Sequence, residues 1–213
     1  MIVKICGLTN AEDTRNTIDA GASALGFNFW PGSPRYITPQ IAEALVALVP
    51  ATVWKVGVFV NESPETVAQI AARLNLDIVQ IHGDQPAPTG LRTWKAISVK
   101  QGFHAGQLAD AAAEAFLLDA PAGQHHGGTG RTFDWSLVQA TERKIVLAGG
   151  LDASNVGAAI QAVRPWGVDA CSRLESSPGK KDHSKVVEFI RAAQLSVEAQ
   201  RARRGPPILK GPR

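Results

Sequence analysis

The sequence predicts a single-domain α/β protein, and within that class a (β/α)8 TIM barrel. Eight short runs of apolar or β-branched residues alternate with longer amphipathic runs along the 213-residue chain. The strand-like runs are continuously apolar, which is typical of parallel strands that are covered on both faces. Eight such strands joined by helical crossovers fit a closed parallel barrel.

The individual elements follow from local patterns. The predicted strands cover residues 2–6, 24–29, 54–60, 77–82, 93–99, 115–119, 144–148 and 167–171. The predicted helices cover residues 11–20, 39–49, 64–74, 103–113, 134–140, 153–163 and 182–198. Thr38-Pro39 and Ser63-Pro64 each place a capping side chain before a proline, which marks a helix start, and Asp152 or Ser154 is expected to cap a later helix. The connection at 83–91 is short, contains two prolines and is predicted to lack a helix.

An open doubly wound sheet is the alternative fold. It predicts about five or six strands and a glycine-rich turn of the form G-x-G-x-x-G after the first strand. The first turn of this chain instead reads Cys6-Gly7-Leu8-Thr9, and the strand count is eight. Both observations favour the closed barrel, with short loops because the chain lies near the lower length limit for that class.

The composition excludes several classes of protein. The chain is 45% hydrophobic and 19% charged, enough to bury a core. It contains no run of 18 or more uncharged apolar residues, so no membrane span is predicted. The N-terminal stretch MIVKICGLTN is too short in apolar residues for a secretory signal. Two cysteines are too few for a disulfide scaffold, so a reducing, cytoplasmic setting is expected.

The basic character of the chain is concentrated at its C-terminus. The formal net charge is +3 and the isoelectric point is about 9.0. Residues 200–213 contain five basic residues and no acidic ones, and the remainder has 17 basic against 19 acidic residues. We therefore expect a barrel domain over residues 1–199 and a basic, disordered tail over residues 200–213.

Two cysteines stand at predicted strand ends, which is where barrels of this class carry their chemistry. Cys6 ends the first strand, where a thiol would serve as a base or a nucleophile if its surroundings favour the thiolate. A buried free cysteine also commonly does no more than fill a core, and position alone leaves both interpretations open. Cys171, at the end of the last strand, is interpreted as a packing residue.

Other polar residues follow further strands. Asp119 ends an apolar run, so burial would raise its pKa and make it an acid near neutral pH; a capping or ion-paired aspartate is the alternative. Arg35 would bind a carboxylate through two N–H groups, or form a surface ion pair. Gln80 and His82 end the fourth strand and are predicted substrate contacts, although a structural role for the histidine is the alternative.

The last two strands carry the signature of an anion site. Gly149 and Gly150 end the seventh strand, and Ser172 follows the eighth. Barrels often bind phosphate at this place through backbone N–H groups, and glycine lets the backbone approach the anion closely. A tight turn is the alternative explanation for the glycine pair. The histidines show no metal-ligand spacing, and adjacent His125 and His126 do not easily face one site, so no metal is predicted.

Taken in order, these motifs resemble the phosphoribosylanthranilate isomerase family. The matching segments are KICGLT (4–9), GFNFWPGSPRYI (26–37), VGVFVN (56–61), QIHGDQ (80–85), LLDA (117–120), GGTGRTFDW (127–135), LAGGLDASNV (147–156) and ESSPGKKD (175–182). They span nearly everything from residue 2 to about residue 195. Each is moderately specific, and eight in the right order leave little room for chance.

The resemblance implies a (β/α)8 barrel that needs no cofactor. It implies an Amadori rearrangement of N-(5-phosphoribosyl)anthranilate to 1-(2-carboxyphenylamino)-1-deoxyribulose 5-phosphate in tryptophan biosynthesis. In this sequence the general base would be Cys6, the general acid Asp119 and the contact to the anthranilate carboxylate Arg35. The phosphate would lie at Gly149, Gly150 and Ser172.

Two further residues are assigned by placement. Asp169 lies on the eighth strand, beside the first, and is expected to orient a substrate hydroxyl or to tune Cys6. Arg173 stands where the family commonly has glycine. If that position required a positive φ, an arginine would be strained there; if a short helix begins there, arginine is acceptable and would support phosphate binding. We favour the second interpretation.

Two other functions would also fit parts of the sequence. The related sugar-isomerising barrel of histidine synthesis performs the same rearrangement on another aminoribotide, but it uses a pair of aspartates where this chain offers Cys6 and Asp119. A nucleic-acid binder acting through the basic tail would show a salt-dependent affinity that is lost on truncation after about residue 199. We expect a phosphorylated small-molecule substrate, no nucleic acid and no membrane partner, and either a monomer or a homodimer.

Overall fold

Eight parallel strands follow one another around a closed barrel, and the first pairs with the eighth. The computed structural model that shows this describes residues 1–110, 112–121, 130, 132–138 and 141–204. The strands are β1 (Ile2–Cys6), β2 (Ala24–Asn28), β3 (Trp54–Val60), β4 (Ile78–His82), β5 (Thr93–Ser98), β6 (Ala115–Asp119), β7 (Ile145–Leu147) and β8 (Gly167–Ala170). The predicted (β/α)8 architecture is confirmed, and each strand end lies within one residue of its prediction.

Five α-helices belong to the described part of the chain. They are α1 (Ala11–Asp19), α2 (Pro39–Val46), α3 (Pro64–Leu74), α4 (Val156–Val163) and α5 (His183–Arg204). The predicted caps of α2 and α3 are confirmed, because the hydroxyls of Thr38 and Ser63 accept the N–H groups of Ile41 at 3.3 Å and Thr66 at 3.1 Å. These caps fix where each helix begins after the preceding loop.

The predicted start of α4 is wrong by three residues. The side chain of Asp152 accepts the N–H of Ser154 at 2.9 Å, which forms a turn before the helix instead of a cap on it. Asn155 is the residue that precedes the helix, and its side chain donates to the Gly150 carbonyl at 2.8 Å. The loop after β7 is therefore tied back onto the glycine pair.

Two predicted helices are replaced by 3₁₀ turns where the structure describes them. The segment predicted as helix over 103–113 contains only a turn at Ala105–Leu108, and the segment predicted over 134–140 contains a turn at Trp135–Leu137. Glycines at 102 and 106 weaken the first helix, and Asp110 instead accepts the N–H of Ala112 at 2.9 Å. Residues 111, 139 and 140 lie outside the described residues.

The C-terminal part adds two features to the prediction. A short antiparallel hairpin, β9 (Glu175–Ser177) with β10 (Lys180–Lys181), follows β8 and was not predicted. Helix α5 then continues to Arg204, past the expected domain boundary at residue 199. Residues 205–213 lie outside the described residues, so the division into barrel and disordered tail stays a prediction.

The interior of the barrel is apolar toward its amino-terminal end, where the strands begin. Residues from different strands pack there on one another: Ala24, Val56, Ile78, Trp94, Ala115, Leu117, Val146 and Ala148. Trp54, Trp94 and Trp166 close the amino-terminal end, with ring centroids 5.9 to 6.3 Å apart. A second core fills the space between the strands and the surrounding helices. Because the amino-terminal end is closed, the accessible mouth of the barrel lies at the carboxyl ends of the strands.

None of the helices in the part of the chain that the structure describes combines the length and apolar character that crossing a bilayer requires.

Candidate active site

Cys6 lies at the barrel mouth, where a glycine makes room around it. It is the last residue of β1 and shares the inner face of that strand with Lys4. Gly7 follows with a φ of +77°, in the region that favours glycine. A Cβ atom at Gly7 would lie 2.9 Å from Cys171 Sγ and 3.0 Å from Arg35 Cγ. Glycine therefore lets both side chains pack against the turn that follows Cys6.

A buried ion pair lies one layer below Cys6. Lys4 and Asp169 are register partners on β1 and β8, and Lys4 Nζ donates to Asp169 Oδ1 at 2.9 Å. Burial opposes the charge on Lys4, but the negative charges of Asp169 and Cys6 outweigh it and raise the pKa of Lys4. Burial also raises the pKa of Asp169 to about 7, against the effect of Lys4. The ammonium is thus a fixed positive charge beneath the mouth.

The surroundings of the two cysteines shift the pKa values of their thiols in opposite directions. The pKa of Cys6 lies well below its ordinary value, because a hydrogen bond with Cys171 and the ammonium groups of Lys4 and Lys181 outweigh burial. That hydrogen bond and burial raise the pKa of Cys171 well above its ordinary value. Both cysteines are free. Of the two, Cys6 is therefore the cysteine whose surroundings favour the thiolate.

The pKa of Asp119 is raised, whereas that of Cys6 is lowered. It ends β6, where the N–H of Ala120 donates to Asp119 Oδ1 at 2.8 Å. Burial raises the pKa of Asp119 to about 6 and the charge of Cys6 adds to this, whereas Ala120 N–H and Lys4 oppose it. Gly149, with a φ of +87°, leaves room for the carboxyl, because a Cβ there would lie 3.2 Å from Asp119 Oδ1. The site thus combines a thiol whose pKa is lowered with a carboxyl whose pKa is raised to about 6.

Arg35 is held in a buried charge cluster. Its Nε and Nη2 donate to Glu175 Oε1 and Oε2 at 3.0 and 2.7 Å, and Lys181 Nζ donates to Glu175 Oε1 at 3.1 Å. The hydrogen bond with Glu175 raises the pKa of Arg35. Burial opposes ionisation of Glu175, but Arg35 and Lys181 lower its pKa. Glu175 takes two of the five guanidinium N–H groups, which leaves three for another acceptor.

The loops after β7 and β8 form a small cleft beside Asp119. Gly149 and Gly150 both have positive φ, at +87° and +58°, so their backbone is shaped in a way that side chains disfavour. Ser172 begins a 3₁₀ turn that runs to Leu174. The residues that line the cleft include Asp119, Gly149, Gly150, Asp169, Ser172 and Arg173. The predicted acid and the predicted phosphate residues therefore meet in one space.

Of the two backbone conformations expected for Arg173, the structure shows the short helical turn. It lies in the 3₁₀ turn and is not among the residues with positive φ. Its Nε donates to the Gly130 carbonyl at 3.0 Å, and its Nη1 donates to Asp152 Oδ2 at 2.6 Å. The arginine therefore ties the loop after β8 to the loop after β7. Its contribution to phosphate binding stays a prediction.

Gln80 and His82 form a polar pair on β4, across the barrel from β8. Their Nε2 atoms lie 2.8 Å apart. Gln80 is only 2% exposed, and its Oε1 has no hydrogen-bond partner among the described residues. A buried acceptor without a partner raises the free energy of the site until a donor, such as a substrate hydroxyl, reaches it.

Three charged residues of the site were not assigned from the sequence. Lys4, Glu175 and Lys181 all lie within quoted motifs, yet no role was given to them. Lys4 had a usable signal, because a lysine in a buried strand requires a charged partner, and the closed barrel places β8 beside β1. Glu175 and Lys181 had no such signal in the sequence, since the hairpin that carries them was not predicted. In the described part of the chain, no three His, Cys, Asp or Glu side chains form a metal-binding group.

Comparison with known proteins shows the family of the chain. The family model described as N-(5'-phosphoribosyl)anthranilate (PRA) isomerase matches residues 3–192. The chain belongs to this family. An N-(5'-phosphoribosyl)anthranilate isomerase from Solibacter usitatus is 48% identical over 202 residues, which cover 93% of this chain and 100% of that relative. The one from Pelobacter propionicus is 46% identical over 90% of this chain and 95% of its own.

Solved structures of N-(5'-phosphoribosyl)anthranilate isomerases share the fold. The enzyme from Thermotoga maritima has a TM-score of 0.84 and 40% identity, over 92% of this chain and 100% of its own. Another phosphoribosyl anthranilate isomerase structure is a complex with reduced 1-(o-carboxyphenylamino)-1-deoxyribulose 5-phosphate. It has a TM-score of 0.81 and 38% identity, over 92% of this chain and 100% of that chain. This chain is accordingly an enzyme of the isomerase family.

Proposed function

We propose that the chain isomerises N-(5-phosphoribosyl)anthranilate to 1-(2-carboxyphenylamino)-1-deoxyribulose 5-phosphate, a step of tryptophan biosynthesis. One observation carries the proposal: Cys6 and Asp119 face one mouth with pKa values shifted in opposite directions. A reaction that needs one base and one acid requires this arrangement. Family membership and the product-like ligand of the related structure support the choice of substrate.

The substrate carries two anionic groups, and the site offers a place for each. The phosphate is assigned to the cleft at Gly149, Gly150 and Ser172, where backbone N–H groups and the 3₁₀ turn donate to an anion. The anthranilate carboxylate is assigned to Arg35, whose three remaining N–H groups include a pair on Nη1. Because Glu175 holds the guanidinium in place, the arginine need not lose side-chain freedom on binding.

Ring opening is the first chemical step. The anthranilate nitrogen pushes its lone pair toward C1′ while protonated Asp119 donates to the ring oxygen. The C1′–O bond breaks, the ring oxygen becomes a hydroxyl, and a C1′ iminium forms. Asp119 suits this step because burial keeps its proton in place to about pH 6.

Proton transfer from carbon is the second step. The Cys6 thiolate removes the C2′ proton, and the electron pair of that bond moves to the iminium, which becomes an enolamine. The enolamine tautomerises to the ketone as C1′ gains a proton and the C2′ hydroxyl loses one. The iminium is the electron sink, so one acid and one base suffice. Lys4 beneath Cys6 stabilises the thiolate in the resting site.

The experiment compares four proteins on two substrates. We expect wild-type protein to convert phosphoribosylanthranilate, and Cys6→Ala and Asp119→Asn each to lower kcat by about 10²- to 10⁴-fold. Asp84→Asn changes an exposed aspartate after β4 and serves as the matched control with wild-type turnover. Wild-type turnover in both site variants would remove the assignment of base and acid. Preference for the aminoribotide of histidine synthesis would contradict the proposed substrate.

A further inference from the structure

Lys181 is a fully buried lysine to which the proposed mechanism gives no role. It lies on β10, where it pairs with Glu175 of β9, and its side chain is 0% exposed. The ammonium donates to Glu175 Oε1 at 3.1 Å, to the Cys171 carbonyl at 3.2 Å and to Cys171 Sγ at 3.8 Å. An ammonium has three N–H groups, so Lys181 has none left for a substrate. Because burying a charge is costly, this lysine requires another explanation.

The hairpin of β9 and β10 holds Lys181 in this position. The buried carboxylate of Asp13 in α1 accepts the backbone N–H of Lys181 at 2.8 Å. Near the hairpin turn, the Thr9 hydroxyl donates to the Gly179 carbonyl at 2.5 Å. Both contacts join the hairpin to the segment that follows β1 at the mouth. The place of the ammonium is therefore set by the fold and does not depend on a bound substrate.

The cluster of Arg35, Glu175 and Lys181 carries one net positive charge. Glu175 holds the guanidinium of Arg35 through two charge-assisted hydrogen bonds, at 3.0 and 2.7 Å. Burial opposes ionisation of Glu175, but Arg35 and Lys181 lower its pKa, so this carboxyl is charged near neutral pH. Without Lys181, Glu175 would neutralise Arg35 and repel a second carboxylate. With Lys181, two positive charges face one negative charge, and one positive charge remains.

We propose that Lys181 and Glu175 are positioning residues for the substrate carboxylate: Glu175 orients Arg35, and Lys181 offsets the charge of Glu175, so that the site stays positive. This inference rests on the proposed contact between Arg35 and the anthranilate carboxylate. The three side chains are 0 to 11% exposed, so water screens their charges little. The site therefore prefers an aryl amine that carries a carboxylate over an uncharged one.

Two binding probes measure this preference without turnover. One is reduced 1-(o-carboxyphenylamino)-1-deoxyribulose 5-phosphate, the ligand of a related structure. The other is its phenylamino analogue, which lacks only the carboxylate. Isothermal titration calorimetry gives a dissociation constant for each, and the carboxylate preference is the constant of the analogue divided by that of the carboxylated probe. A substitution that only disturbs the fold weakens binding of both probes alike and leaves this ratio unchanged.

Two substitutions of Lys181 remove its charge. Lys181→Met keeps most of the length of the side chain, and Lys181→Gln keeps two N–H donors for Glu175 and Cys171. We expect each to lower the carboxylate preference about 10- to 100-fold, because a poorly screened positive charge is lost. Lys180→Met is the matched control. It removes an exposed lysine of the same strand and should change the preference by less than about two-fold.

The double variant Lys181→Met/Glu175→Gln restores the balance of charge. It removes one positive and one negative charge together, so Arg35 again provides a single net positive charge. Removing both partners of a buried pair also disturbs folding less than leaving one of them alone. Its carboxylate preference should exceed that of Lys181→Met by about three-fold or more. Recovery stays incomplete because glutamine offers Arg35 a single neutral acceptor.

Two results would overturn the inference. One is a carboxylate preference in Lys181→Met and Lys181→Gln that equals that of wild type. The other is a double variant that prefers the carboxylated probe no more than Lys181→Met does. Failure of the proposed function would show differently, as a wild-type carboxylate preference in Arg35→Lys or as full turnover in Cys6→Ala.

Discussion

Replacing Asp119 by asparagine should make the protein more stable and less active. The carboxyl is buried at the end of β6, and its pKa is raised to about 6 from 3.8. Asparagine has the same shape and carries no charge at any pH, and its Oδ1 can still accept the Ala120 N–H that now lies 2.8 Å from the aspartate. The substitution therefore removes the cost of a buried negative charge and little else.

The magnitude follows from the pKa shift. The folded protein holds the Asp119 proton to about pH 6, whereas the unfolded chain releases it near 3.8. The stability that this proton provides is complete below about pH 3.8 and is lost as the pH rises through about 6. At 1.36 kcal/mol per pKa unit the full effect is about 3 kcal/mol, of which water in the open mouth screens a part. We expect the advantage of asparagine to grow by about 1–2 kcal/mol between about pH 4.5 and pH 7.5.

Urea denaturation at these two pH values measures the effect. The free energy of unfolding of Asp119→Asn should exceed that of wild type at pH 7.5, and most of the difference should disappear at pH 4.5. The exposed variant Asp84→Asn should change stability by less than about 0.5 kcal/mol at either pH. An equal advantage at both pH values, or a less stable asparagine variant at pH 7.5, would refute the assignment of a buried, high-pKa carboxyl.

Three further predictions test other parts of the site. The pH profile of kcat/KM should fall at low pH as Cys6 gains a proton and above about pH 6 as Asp119 loses one; a flat profile between about pH 5 and pH 10 would contradict the acid–base pair. Arg35→Lys keeps the positive charge but loses the planar guanidinium that binds a carboxylate through two N–H groups. Steady-state kinetics should therefore show KM raised about 10- to 100-fold with a smaller change in kcat. An unchanged KM would refute the assignment of Arg35 as the contact to the substrate carboxylate. Arg173→Gly breaks the link to Asp152 at 2.6 Å and should raise KM; unchanged KM would count against its support of phosphate binding.

The strand pattern and the positions of the proposed acid and base could be predicted from the sequence. Continuous apolar runs define the strands, and a parallel barrel brings their carboxyl ends to one mouth whatever the loops do. Cys6 and Asp119 were therefore placed at the same mouth by topology alone. The helices after β5 and β6 were less predictable, because glycine and Asp110 compete locally with helix formation.

The sequence by itself determined the order of the strands, the closure of the barrel and the residue types at its mouth. Only the tertiary structure decided the state of those residues. Lys4 meets Asp169 across 165 positions of the chain, and the same pairing of β1 with β8 brings Cys6 and Cys171 to the neighbouring ends of the two strands. Ionisation depends on burial and on charges within a few ångströms, and those neighbours come from distant parts of the chain. The opposite pKa shifts of Cys6 and Cys171 are therefore a property of the closed barrel, which no local pattern of residues contains.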